Sequence, residues 1–319
     1  MTGPRLVHTG SAVVDCVYHI DALPAPGTEK TAASYAQLPG GGFNMMAAAS
    51  RTGMKVVFAG QLGTGPNGDF LRAAFAAENI DTLMPSSPAM DSGNCVVLVT
   101  GDAERTFVSW PGAEGVLRAD LLARVSVEAG DWVFTSGYTL SYPGSRNALA
   151  DWIGKLPPET PLVFDPTPVV ADIPPVILTR VLGRTTWLSC NAAEAATIAG
   201  GGDAQGVAER LMADHCPQAA GVLIRAGVAG CLVRLRDGQS WMVPGFAVKA
   251  IDTNGAGDTH IGAFVSVLAR GAAPEEAVRY ANAAAAIAVT RHGGSSGPAD
   301  REIRQFIQAA EKRADRFPG

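Results

Sequence analysis

The chain has 319 residues, 47% of them hydrophobic and 17% charged, with 25 Lys and Arg against 30 Asp and Glu for a formal net charge of −5. So much apolar side chain excludes a disordered protein, and a negative balance without a Lys/Arg cluster argues against a nucleic-acid partner. No run of about 18 apolar residues occurs, so no membrane span is expected, and the five cysteines, scattered and never in C-x-x-C spacing, read as reduced thiols, neither a disulfide frame nor a zinc site.

The start of the chain shows no basic residues followed by an apolar block, so no secretory leader is visible and a cytoplasmic location is expected. Short apolar, β-branched runs then alternate with longer alanine-rich helical stretches. Strand 56–59 precedes helix 69–78, strand 132–135 precedes helix 145–155, and strand 162–165 precedes helix 174–182. Strand 187–189 precedes helix 192–199, and helix 204–214 leads to strand 222–225. The alternation predicts an α/β fold with a parallel sheet covered by helices on both faces. The strands are near-continuously apolar, as strands buried on two faces should be. Residues 13–37 and 94–110 break the rhythm. The second stretch reads as a hairpin around Gly101-Asp102-Ala103-Glu104. Together they are expected to form a small separate β-sheet inserted into the main domain. From 258 onward the pattern is helical, over 259–270, 274–290 and 299–313.

The segment Asp252-Thr253-Asn254-Gly255-Ala256-Gly257-Asp258 carries most of the chemistry. It follows a strand-like stretch and opens a helix, whose free N–H groups bind anions. Gly255 and Gly257 let the backbone approach a ligand closely. Asp258 then stands beside an anion site with a carboxylate able to accept a proton, the pair of features that phosphoryl transfer to a hydroxyl requires. A plain strand-to-helix turn capped by Asp is the structural alternative. Asp15 is expected at the carboxyl end of a strand, where open α/β sheets bind ligands. Residues 40–42 are three glycines ahead of Asn44, which serves either a ligand or a helix N-terminus. Asn191 and Glu194 are one helical turn apart, suited to a hydrated Mg²⁺ or to capping a surface helix. The chain lacks the G-x-x-x-x-G-K-[ST] phosphate loop, and Gly63-Thr64-Gly65-Pro66-Asn67-Gly68, a formal dinucleotide fingerprint, has Pro66 where a backbone donor should face pyrophosphate.

The 252–258 segment resembles the signature of the ribokinase-like, phosphofructokinase-B type carbohydrate kinases, and ordered matches extend over nearly the whole chain. Gly10-Ser11 with Asp15 resembles the family's first strand, and Gly40-Gly41-Gly42-Phe43-Asn44 with Arg51-Thr52-Gly53 its Gly-rich signature. Asn191-Ala192-Ala193-Glu194 resembles the N-x-x-E motif, and Arg225-Ala226-Gly227-Val228-Ala229-Gly230 the nucleotide turn, with Arg where Thr is common. Residues 283–293 resemble the helix and loop around adenine and a monovalent cation. The resemblance implies one domain over 1–319, a three-layer αβα sandwich with a mostly parallel central sheet and a small β-sheet lid. It implies an ATP-dependent kinase with Asp258 as base and Gly255, Ala256 and Gly257 as anion hole. Asp15, Gly40, Gly41, Gly42, Asn44 and Tyr138 would bind the acceptor. Asn191, Glu194, Arg225, Gly227, Gly230, Gly257 and Asn282 would handle ATP and Mg²⁺. Asp252, Asn254, Ala288, Arg291 and Gly293 would hold K⁺, with an Asp252 ion pair as the alternative. A homodimer through the lid is implied as well. Departures at Val13, Pro39, Gly65, Tyr138 and His260 surround the acceptor site. They put ribose in doubt and, with Phe43 and Tyr138 as an aromatic pair, leave a nucleoside acceptor open. A non-catalytic sugar or nucleotide sensor is the reading of a different class.

Overall fold

A computed structural model describes residues 3–102 and 104–316, so Ala103 of the expected hairpin turn lies outside the described residues. The chain opens with strands β1 (Arg5–His8), β2 (Ala12–His19) and β3 (Ser34–Gly41), then helix α1 (Phe43–Arg51). Next come β4 (Lys55–Phe58), α2 (Pro66–Ala77), β5 (Asp81–Thr82) and the hairpin β6 (Asn94–Val99) and β7 (Arg105–Trp110). A short α3 (Ala119–Leu122) leads to β8 (Trp132–Ser136), α4 (Gly137–Ser141), α5 (Arg146–Ile153) and β9 (Leu162–Asp165). Then follow α6 (Pro175–Arg184), β10 (Trp187–Asn191), α7 (Ala192–Ala199), α8 (Ala204–Arg210) and β11 (Gly221–Arg225). Strands β12 (Gly230–Leu235) and β13 (Ser240–Pro244) precede the helices α9 (Ala256–Leu268), α10 (Pro274–Ala288) and α11 (Asp300–Arg316).

Nine strands form the central sheet in the order β13-β12-β11-β10-β9-β8-β1-β4-β5, parallel except where β12 pairs with β11 and β13. Alternate strand residues feed two cores, as the period of 2 requires. Leu6, Val56, Val163 and Leu223 pack on one face with α1, α9 and α10, while Val7, Val57, Phe164 and Val222 pack on the other with α5, α6 and α8. Among the described residues no helix is long and apolar enough to cross a membrane. The antiparallel pair β12–β13 is absent from the sequence reading, although Asp237-Gly238 between alternating apolar residues is a hairpin signal. The stretch expected as helix 204–214 is α-helical only to Arg210 and finishes in a widened π turn over Leu211–His215.

Four strands form the lid, in the order β3-β2-β6-β7. Two differences from the sequence reading move site residues. β3 runs on to Gly41, so Gly40 and Gly41 belong to a strand and not to a loop. Asp15 lies in the middle of β2, in the lid, and not at the carboxyl end of a central strand. The lid is a second, crossing sheet that begins only three residues after β1, a break that periodicity does not reveal.

Helices α1 and α9 cross at close range, and Gly262 allows it. A Cβ at that position would lie 2.5 Å from the Met45 carbonyl oxygen and 2.9 Å from the Ala48 Cβ. The far end of α1 is tied to the loop before α11, because Arg51 Nη1 donates to the carbonyls of Ser295 at 2.5 Å and Gly297 at 2.8 Å. Gly262→Ala is expected to cost about 1–3 kcal/mol by overpacking, read as a lower denaturant midpoint with an unchanged slope.

Candidate active site

The carboxyl ends of the parallel strands place Asp165 (β9), Asn191 (β10) and Arg225 (β11) side by side. Arg225 is buried between two acids. Its Nη2 lies 3.4 Å from Asp165 Oδ2 and 3.4 Å from Glu194 Oε2, and its Nη1 donates to Ser189 Oγ at 2.6 Å. Burial works against the guanidinium charge, but Asp165 and Glu194 hold it and leave its pKa above the ordinary value. Arg225 is therefore an interior counterion rather than a surface residue. Burial also raises both acids, and Asp165's charge pushes Glu194 further. The cluster sets two carboxyl groups against one guanidinium. Asn191 and Glu194 form a complete capping box at the start of α7, with Glu194 Oε2 accepting from the Asn191 amide at 2.7 Å. Glu194 is only 4% exposed, so this cap is buried at the strand ends beside Arg225 rather than on the surface.

Asp258 occupies the first turn of α9. Gly255 is the N-cap in the left-handed region at φ 69°, and a Cβ on it would meet the Gly294 carbonyl oxygen at 1.8 Å, so only glycine fits. At this helix start the Ala256 amide turns back to the Thr253 carbonyl at 3.4 Å, and the amides of Gly257 and Asp258 lie in the first turn, where a helix leaves its N–H groups without intrahelical partners. Gly257 faces Arg225, whose guanidinium carbon would stand 3.6 Å from a Cβ placed there. The start of α9 thus has a positive charge at its side. Burial pushes the Asp258 carboxyl up to about 7, with Asp165's charge adding to the rise and the Asn44 hydrogen bond and Arg225 opposing it. Asn44 Nδ2 donates to Asp258 Oδ2 at 3.3 Å. Asn44 sits in the second position of α1, after the N-cap Gly42, and so is not the cap itself.

The lid brings Asp15 to the same site. Its carboxyl is pushed up to about 6 by burial, and its charge contributes to raising Asp258. Gly40 lies against it, since a Cβ there would be 2.3 Å from Asp15 Oδ2. The register Asp15 opposite Leu38 and Cys95, with Cys95 opposite Ser109, puts Phe107 and Arg105 on the Asp15 face of the sheet. Tyr138, at the start of α4, is 38% exposed, and its hydroxyl is raised by burial and by the charges of Asp258 and Asp165. The expected aromatic pair does not assemble. Phe43 is buried in the core, its ring 5.6 Å from that of Phe75 and nearly parallel to it.

Gly227 and Gly230 adopt positive φ in the turn between β11 and β12. Asn282 is occupied internally. Its Nδ2 donates to the carbonyls of Val243 at 3.0 Å and Pro244 at 3.1 Å, and its Oδ1 lies 3.1 Å from His260 Nε2, leaving it no free donor for a nucleotide. His260 is neutral, held down to about 3 by burial and by Arg225. Asp252 pairs with Arg105 of the lid and accepts from the amides of Asn254 at 2.8 Å and Gly293 at 3.0 Å. Arg291 pairs with Glu302 instead. The dinucleotide fingerprint is occupied too, because Asp91 accepts from the amides of Asn67 at 3.0 Å and Gly68 at 2.8 Å at the start of α2. Sequence reasoning missed Asp165, Arg105 and Phe107. Only Asp165 carried a local signal, as the acid ending an apolar strand.

The description "pfkB family carbohydrate kinase" matches residues 4–301. The chain is 31% identical over 305 residues to the uncharacterized sugar kinase YegV of Escherichia coli (strain K12), covering 95% of this chain and 94% of that protein. It is 31% identical over 309 residues to a ribokinase of Haemophilus influenzae, covering 94% and 97%. The solved ribokinase of Giardia lamblia superposes with a TM-score of 0.84 at 24% identity, over 97% of this chain and 99% of that one.

A carboxyl whose folded pKa is raised binds its proton more tightly in the folded state, so stability falls as pH rises from about 3.8 and levels off above about 7. The buried charge of Asp258 then costs on the order of 4 kcal/mol. Asp258→Asn is expected to melt at a higher temperature than the wild type at pH 8, with the gap closing as pH falls toward 4.

Proposed function

The chain belongs to the pfkB family of carbohydrate kinases, phosphotransferases with an alcohol group as acceptor, and from that premise we propose that it transfers the γ-phosphoryl group of ATP to a hydroxyl of a small carbohydrate. The observation that carries this reading is a buried carboxyl, Asp258, with a pKa near neutrality, in the first turn of a helix whose amides and flanking Arg225 form an anion site. A base is most effective when its pKa lies near the working pH. Asp258 takes the hydroxyl proton as the oxygen attacks phosphorus. The amides of the α9 start and Arg225 stabilise the charge on the transferred group, the main task in this chemistry. Asn44 holds the Asp258 carboxylate toward the acceptor, and Asp15 accepts hydrogen bonds from further hydroxyls. The lid carrying Asp15 and Phe107 covers the acceptor and excludes water.

Among the described residues no three His, Cys, Asp or Glu side chains converge as a metal cage. Mg²⁺ uses one or two carboxylates together with substrate phosphates and keeps several waters. The two carboxyl groups of Asp165 and Glu194, set against the single guanidinium of Arg225, fit that mode, and Mg²⁺ held there with Asn191 would neutralise phosphate charge. Gly227 and Gly230 shape the turn beside the nucleotide. Five free thiols are in keeping with a cytoplasmic setting. The lid face turned away from Asp15 carries Tyr35, Val108 and Trp110, 52%, 63% and 72% exposed. We assign that apolar face to a second copy of the chain.

An ATP-coupled assay over sugars and nucleosides tests the reading, with turnover expected on a sugar. On that sugar, Asp258→Asn is expected to lower kcat by about 10²–10⁴-fold while ATP affinity persists, and wild-type kcat/KM should fall as pH drops below about 7. A variant with near-wild-type kcat would show that Asp258 is not the base. Light scattering should give the mass of a dimer, and Trp110→Asp that of a monomer.

A further inference from the structure

The residues that the family resemblance assigns to a monovalent cation do not fit one. Asp252 is the only carboxylate among them, and its two oxygens already accept three hydrogen bonds, one of them from a guanidinium. Oδ1 accepts from Arg105 Nη2 and from the Asn254 amide at 2.8 Å, and Oδ2 from the Gly293 amide at 3.0 Å. The Ala288 carbonyl already accepts from the Arg291 amide at 3.0 Å and from the Ser296 hydroxyl at 3.1 Å. A guanidinium in contact with Asp252 repels any further cation, and because the two side chains are only 19% and 15% exposed, salt screens the pair weakly.

We propose that Arg105 is a positioning residue that takes the place of the alkali cation, so that this kinase works without K⁺. The guanidinium neutralises Asp252 from the lid side. Asp252 then keeps the 252–258 turn against the Gly293 amide, and Gly255 stays seated on the Gly294 carbonyl, which fixes the start of α9 and its anion hole. Arg105 opens β7, so the brace is delivered by the lid and is complete only when the lid lies on the main sheet. An alkali ion would brace the turn whether the lid were open or closed. With Arg105 in its place, forming the anion hole and covering the acceptor become one event.

The inference rests on the kinase reading, so its test has one arm that needs no acceptor. Melting temperature and turnover are measured for the full chain in tetramethylammonium, Na⁺ and K⁺ chlorides at constant ionic strength. The wild type is expected to show the same melting temperature and the same rate in all three. Arg105→Ala should lose turnover several-fold in tetramethylammonium, regain it in K⁺, and melt higher in K⁺ than in the other two salts. Arg105→Met, which keeps the aliphatic stem, should behave like Arg105→Ala, whereas Arg105→Lys should stay indifferent to salt. A wild type stabilised or activated by K⁺ overturns the proposal. So do Arg105→Ala and Arg105→Met proteins that match the wild type in every salt. If no acceptor is turned over, the kinase reading fails, and the melting arm still decides whether Arg105 excludes K⁺.

Discussion

One guanidinium held between two buried carboxylates is the constraint on which the site depends. Arg225 ends β11, Asp165 ends β9, and Glu194 begins the helix that leaves β10, so three neighbouring strands converge on one charge. Removing one member of such a pair typically costs about 3–5 kcal/mol, because the partner is left as an uncompensated buried ion. The same charges set the potential at α9. Burial raises the Asp258 carboxyl and lowers His260 most of all; Asp165 adds to the first shift, while Arg225 opposes it and adds to the second. The ionic cluster that fixes the strand ends therefore also acts on the carboxyl of Asp258.

The phosphate end of the site was legible because its chemistry is local. Asp252, Gly255, Gly257 and Asp258 lie within seven consecutive residues, and the turn into α9 needs glycine where the backbone meets the Gly294 carbonyl. Much of the central sheet was legible for a similar reason, since β4, β8, β9 and β10 are each a short apolar run followed by a helix. The acceptor end was harder to read. Asp15 belongs to a lid strand because the chain leaves β1 and changes sheets within three residues, and no periodicity marks the switch. Phe43 is a core residue because α1 is buried from Phe43 through Ala49, with no polar face in that stretch to show which way a ring points. The Arg105–Asp252 pair joins residues 147 apart in sequence, a distance over which pattern reasoning has nothing to count.

Two motifs show why a spacing does not by itself specify a role. The fingerprint at residues 63–68 does open a helix, but the chain supplies its own anion in Asp91. Asn191 and Glu194 likewise satisfy each other as a capping box. Glu194 differs from Asp91 in what surrounds it. It lies against Arg225 and Asp165 at the sheet's carboxyl edge. The helix N-terminus is filled from within the chain in both cases, and only the neighbouring charges differ.

The pairing of β2 with β6 has a consequence for how the molecule assembles. These strands run parallel, with Val14 opposite Asn94, and between them lie β3 of the lid, then α1, α2 and the strands β4 and β5 of the other sheet. A parallel pair cannot close through a tight turn and needs a long crossover, here the segment holding α1, β4 and α2. The middle of the lid therefore cannot zip up until the first strand–helix–strand unit of the large sheet has brought its ends together, and contacts of such sequence separation form slowly. The central pairing of the lid thus depends on contacts of long sequence separation. A chain released before that point exposes the edges of β2 and β6, both rich in β-branched residues, as unpaired strands open to association with other chains.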